Sequence, residues 1–329
     1  MTPPTIDFDP IFTAVRQAAA LCRAVQDRYI PAGAEPARRD PAATKAGAEP
    51  VTVADYGAQA LLCRAISRAF PGDAVIAEES GQQFCELIAD ADRAEIAALV
   101  GEIIGERVRP DDLARWLDHG QGRAAERTWV IDPIDGTKGF LARRHYVIAL
   151  GVLRGGQPVA GVVGAPAYRG GAAIFAAQGG AASVQPLAGG PARRVTVSQR
   201  TDPAALVVVE SVEKSHASRE WMARVRAAAG IGAATVERLD SQEKYALIAA
   251  GDADLYLRLP RLHSTRPHMI WDHAAGAALV QNAGGVVTDV DGAPLDFTQG
   301  RTLAKNLGII VANPRIHAQV VRAAQSVSP

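Results

Sequence analysis

The spacing of apolar residues along the chain predicts helices first and then strands alternating with helices. Across residues 11–25 they recur every three or four positions, the period of one helix face, with Asp9 as the expected N-cap and Pro10 at the first helical position. A second helix is expected after Asp55. The short apolar run at 74–77 is typical of a buried strand.

The rest of the chain continues the alternation. Residues 82–126 are expected to be mainly helical. Strands are expected at 128–131, 146–153, 159–164, 174–177, 206–209, 255–259 and 309–311, and helices at about 218–229, 242–250, 272–283 and 315–325. This pattern predicts a layered α/β protein. The Gly-Pro-rich stretch at 188–191 suggests a boundary between an N-terminal α+β domain, 1–190, and a C-terminal α/β domain, 191–329.

Charge and composition narrow the class of partner. The 329 residues include 35 Lys and Arg against 35 Asp and Glu, and 48% of them are hydrophobic. A protein that binds nucleic acid or membrane surfaces in general needs a basic excess, so neither partner is expected. A local basic pocket for a small phosphorylated molecule remains compatible with zero net charge. The sequence does not predict the oligomeric state.

The cysteines point to a reducing compartment. Cys22, Cys63 and Cys85 form no C-x-x-C pair, which argues against a disulfide framework or a thiolate zinc site. All three are expected to be buried as small hydrophobic residues. The N-terminal segment lacks the basic and apolar regions of a signal peptide, and no run approaches the roughly 20 apolar residues of a membrane span. We therefore expect a cytoplasmic protein.

A carboxylate-rich turn follows the strand expected at 128–131. Its residues are Asp132-Pro133-Ile134-Asp135-Gly136-Thr137. Because Pro133 has no N–H and a fixed φ, we expect the chain to leave the sheet there. The two carboxylates and the Ile134 carbonyl are oxygen ligands of the kind that Mg²⁺ prefers. The N–H groups of Gly136 and Thr137 could hold a phosphate. In isolation, however, such a motif is more typical of a plain turn.

Other acidic residues occur at the ends of predicted elements. Asp55 begins a helix, Glu78 and Glu79 follow the strand at 74–77, and Asp272 precedes a helix. Each alone is compatible with a cap or a solvated charge. Element ends are where α/β folds gather their ligand sites, and clustered carboxylates repel one another unless cations neutralise them. Together they favour a multi-metal site and metal-assisted hydrolysis of a phosphate ester.

These motifs resemble the inositol monophosphatase superfamily of lithium-sensitive, Mg²⁺-dependent phosphatases. The resemblance runs from about Glu49 to Gly292 and rests on Val51–Asp55, Ala77–Ser80, Trp129–Phe140 and Trp271–Gly276. It implies an α-β-α-β-α sandwich whose first part holds most metal ligands, with the site between the two parts.

The resemblance also implies roles for individual residues. Two or three Mg²⁺ ions would be held by Glu78, Asp132, the Ile134 carbonyl, Asp135 and Asp272. Asp55 and Thr137 would position and deprotonate the attacking water, with Thr137 passing its proton to Asp55 because a hydroxyl is a poor base. Gly136 and Thr137 would contact the substrate phosphate.

A narrower set of motifs is similar to the 3′(2′),5′-bisphosphate nucleotidases within that superfamily. These are Lys138-Gly139-Phe140 and the segments 211–216, 239–245 and 256–260. The similarity implies that His216, Ser241, Lys244 and Arg258 contact an adenosine phosphate. Arg258 lies in an otherwise apolar strand, so it needs a partner, either a phosphate or a carboxylate such as Asp254.

The resemblance therefore implies a Mg²⁺-dependent enzyme that converts adenosine 3′,5′-bisphosphate to AMP and phosphate, with 3′-phosphoadenylyl sulfate as a further substrate. Two alternatives stay open, an inositol mono- or polyphosphate phosphatase and a non-catalytic nucleotide-binding regulatory protein. The intact acidic set argues against the second, since a binder needs no water-activating pair. The basic, His-rich segment 261–270 is expected to be an exposed loop.

Overall fold

The structure is a computed structural model that describes residues 5–30, 53–169, 171–212, 217–260 and 267–327. The helices are α1 (Asp9–Tyr29), α2 (Val53–Ala69), α3 (Gly81–Leu87), α4 (Asp90–Ile104), α5 (Pro110–Leu117), α6 (Thr137–Leu141), α7 (Arg219–Ala228), α8 (Glu243–Ala249), α9 (Ala274–Asn282) and α10 (His317–Ser326). The strands are β1 (Ala74–Ala77), β2 (Arg127–Asp135), β3 (Val147–Arg154), β4 (Gln157–Ala165), β5 (Ala173–Gln178), β6 (Ala181–Pro186), β7 (Arg193–Val195), β8 (Val207–Glu210), β9 (Thr235–Arg238), β10 (Leu255–Arg258), β11 (Val286–Thr288) and β12 (Ile309–Ala312).

The strands form two sheets. The first has seven strands in chain order, β1 to β7, with β1 parallel to β2 and antiparallel pairing from β2 onward. The second has the order β11-β12-β10-β8-β9, in which β8 is parallel to both β9 and β10. The described strands of the first sheet end at Val195, so each sheet comes from one part of the chain.

Both sheets are covered on both faces, because successive apolar residues of their central strands are buried on opposite sides. In β2, Trp129 and Ile131 join a core with α1, α2 and α4, whereas Val130 between them joins a second core. That second core contains α8, α9 and one face of the second sheet. The opposite face of the second sheet packs against α7 and α10. The five layers are those of an α-β-α-β-α sandwich, which confirms the predicted fold class.

Two glycines determine how closely the middle helical layer approaches the first sheet. A Cβ on Gly151 of β3 would lie 2.7 Å from the Ala274 Cβ, and one on Gly161 of β4 would lie 2.8 Å from the Ala275 carbonyl oxygen. Only glycine lets the backbone of α9 lie this close to the strands. Helix α9 directly follows Asp272, so this contact sets the position of that residue relative to the first sheet.

Most of the expected elements are present, and three expectations are wrong. The chain does not leave the sheet at Pro133, because β2 continues to Asp135 through an irregularity in its pairing with β3. Asp9 is not the N-cap of α1, since that position is Phe8 and no side chain caps the helix. Cys85 is exposed, whereas Cys22 and Cys63 are buried as expected. The domain boundary near residue 190 stays a prediction.

Across the described parts of the chain, none of the helices combines the length and the apolar character that a bilayer crossing requires. The cytoplasmic location stays a prediction.

Candidate metal and substrate site

The parallel pair β1 and β2 brings two predicted ligands to one edge of the first sheet. Ala77 pairs with Ile131, and the N–H of Glu78 donates to the Ile131 carbonyl at 3.2 Å. Glu78, directly after β1, and Asp132, within β2, therefore lie at the same level of the sheet. This edge, formed by the carboxyl ends of parallel strands, is where α/β folds place ligand sites.

A bulge in β2 separates Asp132 from Asp135. Asp132 lies opposite Ala149 and Asp135 opposite Val147, so three steps along β2 match two along β3. A bulge tolerates Pro133, which cannot donate to the ladder, and it re-aims the residues that follow. The Asp135 Oδ2 accepts a hydrogen bond of 2.6 Å from the N–H of Gln242. The bulge thus turns Asp135 toward the element that leads into α8.

Gly136 allows the turn after β2 to touch the second part of the chain. Its φ is 93°, in the left-handed region that favours glycine, and a Cβ there would lie 3.1 Å from the Ser241 Cβ. Next to it, the Thr137 hydroxyl donates to the Ile134 carbonyl at 3.2 Å. Two predicted site groups are therefore already hydrogen-bonded. The proton transfer from Thr137 to Asp55 stays a prediction.

Asp132 lies within electrostatic reach of four other carboxylates. Burial raises its pKa well above the ordinary value, and the charges of Glu78, Asp135, Asp272 and Asp55 raise it further. Among the described residues, its buried Oδ1 has no hydrogen-bond partner. A buried acceptor oxygen surrounded by like charges is stabilised by a cation. The donor chemistry at Asp132 therefore fits a hard divalent ion such as Mg²⁺.

Asp135 shares this electrostatic environment. Burial and then the charge of Asp272 raise its pKa to about 7, while Lys244, the Gln242 N–H and Arg258 act in the opposite direction. The structure thus brings the carboxylates of β2 and that of Asp272, which precedes α9, into one electrostatic cluster. In the part of the chain that is described, however, no group of three or more His, Cys, Asp or Glu side chains is arranged so that it could hold a metal ion. Metal binding by these residues stays a prediction.

Lys244 lies beside the acidic cluster and is buried. Its Nζ donates to the carbonyls of Ser241, at 2.6 Å, and Leu239, at 3.2 Å. Burial lowers its pKa to about 8, and the charge of Asp135 limits the decrease. Ser241 is also buried and has a φ of 67°, an uncommon value for a residue other than glycine. Ser241 thus lies in a constrained turn next to Gly136, and Lys244 lies in the first turn of α8 directly after it.

Arg258 pairs with a carboxylate of the acidic cluster. Its Nη2 lies 3.5 Å from the Asp272 Oδ2. Asp254, the alternative partner, instead interacts with Ser198 and Arg200. Burial disfavours the charged guanidinium, but Tyr256 and Asp272 outweigh this effect and raise its pKa. Arg258 is therefore a fixed cation beside a predicted metal ligand.

Two predictions fall wholly or partly on residues that the structure does not describe. His216 lies outside the described residues, as do positions 261–266. In the described end of the basic segment, His268 and Ile270 are buried, so the expectation of an exposed loop is wrong there. Burial, together with the charge of Arg258, lowers the pKa of His268 to about 3.

Sequence reasoning missed two residues that hydrogen-bond to the backbone of Glu78 and Glu79. Gln59 donates to the Glu79 carbonyl and accepts from the Glu79 N–H, both at 2.8 Å. Gln59 lies one helical turn after Asp55, and this spacing was the only feature of the sequence that could have placed it near the site. Arg301 donates to the Glu78 carbonyl at 3.1 Å and lies 4.5 Å from the centre of the Trp271 ring. Nothing in the sequence indicated Arg301, because 223 residues separate it from Glu78.

Comparisons with known proteins identify the class to which this layered sandwich belongs. The sequence profile of the inositol monophosphatase family matches residues 9–328. The chain belongs to the inositol monophosphatase family. Solved structures share its fold, including the suhB protein of Bartonella henselae (TM-score 0.64, 20% identity, 96% of both chains) and the Thermotoga maritima IMPase (TM-score 0.64, 22% identity, 97% and 96%).

Curated relatives cover most of the chain. The 3′(2′),5′-bisphosphate nucleotidase 1 of Candida albicans is 34% identical over 94% of this chain and 92% of its own length. The nucleotidase of Oryza sativa is 36% identical over 95% and 91%, and that of Emericella nidulans is 38% identical over 84% and 88%. These findings confirm both the family predicted from the motifs and the narrower resemblance to nucleotidases.

Proposed function

We propose that this protein is a Mg²⁺-dependent phosphatase that hydrolyses the 3′-phosphate of adenosine 3′,5′-bisphosphate. The observation that carries the proposal is the match to proteins named 3′(2′),5′-bisphosphate nucleotidase over nearly the whole chain. The site supports it because a carboxylate cluster and the cations of Lys244 and Arg258 share one electrostatic environment. Such a pairing suits a substrate that carries phosphate on a nucleoside.

The residues that would hold two or three Mg²⁺ ions are Glu78, Asp132, Asp135 and Asp272, with the carbonyl of Ile134. Bound Mg²⁺ would supply Lewis acidity toward the phosphoryl oxygens and favour deprotonation of water. Asp55 and Thr137 would orient the attacking water and accept its proton, because a positioned base lowers the barrier to attack. The N–H groups of Gly136 and Thr137 would donate to the phosphate oxygens.

The nucleotide would be held by the turn that leads into α8 and by the end of β10. Lys244 has three N–H donors, of which two go to carbonyls, so a third can contact the substrate. Arg258 would contact a phosphate oxygen while it remains beside Asp272. Ser241 and His216 complete the proposed set.

In the reaction, the water oxygen forms a new bond to phosphorus and the bond from phosphorus to the ribose 3′-oxygen breaks. The leaving oxygen takes up a proton, so the products are AMP and inorganic phosphate. The same site would accept 3′-phosphoadenylyl sulfate, which carries the same 3′-phosphate.

Phosphate release tests the proposal directly. We expect release from adenosine 3′,5′-bisphosphate that requires Mg²⁺, is inhibited by lithium, and exceeds release from inositol 1-phosphate. Dominant turnover of inositol 1-phosphate would make the protein an inositol phosphatase instead. Nucleotide binding in saturating Mg²⁺ without phosphate release would identify a non-catalytic binder.

A further inference from the structure

Gln242 connects the end of β2 to the segment around Asp272 at the acidic cluster. Its backbone N–H donates to the Asp135 Oδ2 at 2.6 Å. Its side-chain amide donates to the Trp271 carbonyl and accepts from the Gly276 N–H, both at 2.9 Å. The residue is 1% exposed, so water does not compete for these contacts. One residue therefore contacts the end of β2 and both sides of Asp272.

The surrounding packing leaves this connection little freedom. A Cβ on Gly276 would lie 2.3 Å from the Tyr245 ring, so α8 and α9 are in direct contact. Gln242 directly precedes α8, and Gly276 lies in the first turn of α9. The Gln242 amide supplies both the donor and the acceptor that this position uses, whereas a carboxylate lacks the donor and a thioether lacks an N–H.

We infer that Gln242 is a positioning residue that fixes the spacing between Asp135 and Asp272 and thereby sets the affinity of the cluster for a divalent cation. The inference rests on the proposed function, which places metal at these two carboxylates. Hydrogen-bond partners of metal ligands typically change metal affinity about 10- to 100-fold. The backbone N–H of Gln242 is such a partner of Asp135, and its side chain holds the residues on both sides of Asp272, so the loss of both side-chain contacts should weaken Mg²⁺ binding within that range.

The test uses Gln242→Met, which keeps the length of the side chain and removes both contacts. Gln242→Asn keeps the amide but is one methylene shorter, and it serves as the second variant if the Met variant does not fold. The matched control is Gln178→Met, because the Gln178 amide also donates to a backbone carbonyl, at 2.9 Å, and accepts from a backbone N–H, at 2.8 Å, both of Ile6. Gln178 ends β5, away from the cluster.

Mg²⁺ binding by isothermal titration calorimetry is the primary measurement, and the Mg²⁺ concentration for half-maximal phosphate release is the second. We expect both Gln242 variants to bind Mg²⁺ about 10- to 100-fold more weakly, while Gln178→Met changes only the melting temperature. Unchanged Mg²⁺ affinity in the Gln242 variants, or an equal loss in the control, would overturn the inference. A wild type that binds Mg²⁺ but releases no phosphate would refute the proposed function and leave the Mg²⁺ affinities to decide the role of Gln242.

Discussion

Asp135→Asn should remove activity and at the same time stabilise the metal-free fold. Burial and the charge of Asp272 raise the pKa of Asp135 from 3.8 to about 7. A carboxyl group whose pKa is higher in the folded state does not destabilise the fold at a pH below its unfolded pKa. Above its folded pKa, it destabilises the fold by the full free energy that corresponds to the difference between the two pKa values. The penalty in the wild type therefore begins near pH 4 and is complete above about pH 7.

The difference between the two pKa values sets the magnitude. A tenfold change in an acid constant is worth about 1.4 kcal/mol, so an increase from 3.8 to about 7 gives an upper limit of about 4 kcal/mol. Asp135 is partly exposed, and solvent screening reduces this figure to about 2 kcal/mol. Asn has the same size and keeps an oxygen that can accept from the Gln242 N–H.

Urea unfolding in EDTA checks the stability, and Mg²⁺-dependent phosphate release checks the activity. We expect the free energy of unfolding of Asp135→Asn to exceed that of the wild type by about 2 kcal/mol at pH 8 and to approach it at pH 4. Asp202→Asn, at an exposed turn, should change neither quantity. Saturating Mg²⁺ should stabilise the wild type more than the variant. A variant that is less stable at pH 8 in EDTA, or one with near-normal kcat, would refute the reasoning.

Three other changes test separate features. Arg258→Ala should lower kcat/KM for adenosine 3′,5′-bisphosphate about 10- to 150-fold, because it removes one charge-assisted hydrogen bond worth about 1.5–3 kcal/mol. The loss for a small phosphate ester should be far smaller. Equal losses for both substrates would mean that Arg258 only supports Asp272. With a disulfide reagent at pH 8, only the exposed Cys85 should react quickly. Burial raises the pKa of Cys63 to about 12 and also raises that of Cys22, so both should react slowly. A second thiol that reacts quickly would contradict this expectation. Gly151→Ala should destabilise the fold by about 1–3 kcal/mol, because the added methyl group clashes with α9. Gly72 has open space around it, so Gly72→Ala should hardly change the melting temperature. Equal melting temperatures for the two variants would show that α9 can shift.

The sequence predicted the elements whose hydrophobic period is strong. The strands of the first sheet that run through the core, such as β3 and β4, were found because they are apolar at successive positions. The short edge strands β9 and β11 were missed, since β9 has no fully buried residue and β11 has only three residues. At Pro133, the local rule against proline in a strand was overridden by the bulge that accommodates it.

The candidate site was predictable where a motif places chemistry close together in the chain. Asp132, Asp135 and Thr137 lie within six consecutive residues at the end of β2 and the start of α6, and Glu78 directly follows the neighbouring strand β1. The supporting contacts were not predictable, because they join distant segments through hydrogen bonds that no local pattern marks. Arg301 to Glu78 is one example, and the partner of Arg258, which is Asp272 rather than Asp254, is another.

The close seating of α9 against β3 and β4 has a consequence for how the chain can be divided. Helix α9 is encoded in the second part of the sequence, yet its apolar residues and those of α8 share one core with the inner face of the first sheet. A fragment ending near residue 190 would expose that face to water, and the complementary fragment would lack the surface on which its helices rest. Each half therefore needs the other to complete its core, and we expect neither fragment to fold stably when it is expressed alone.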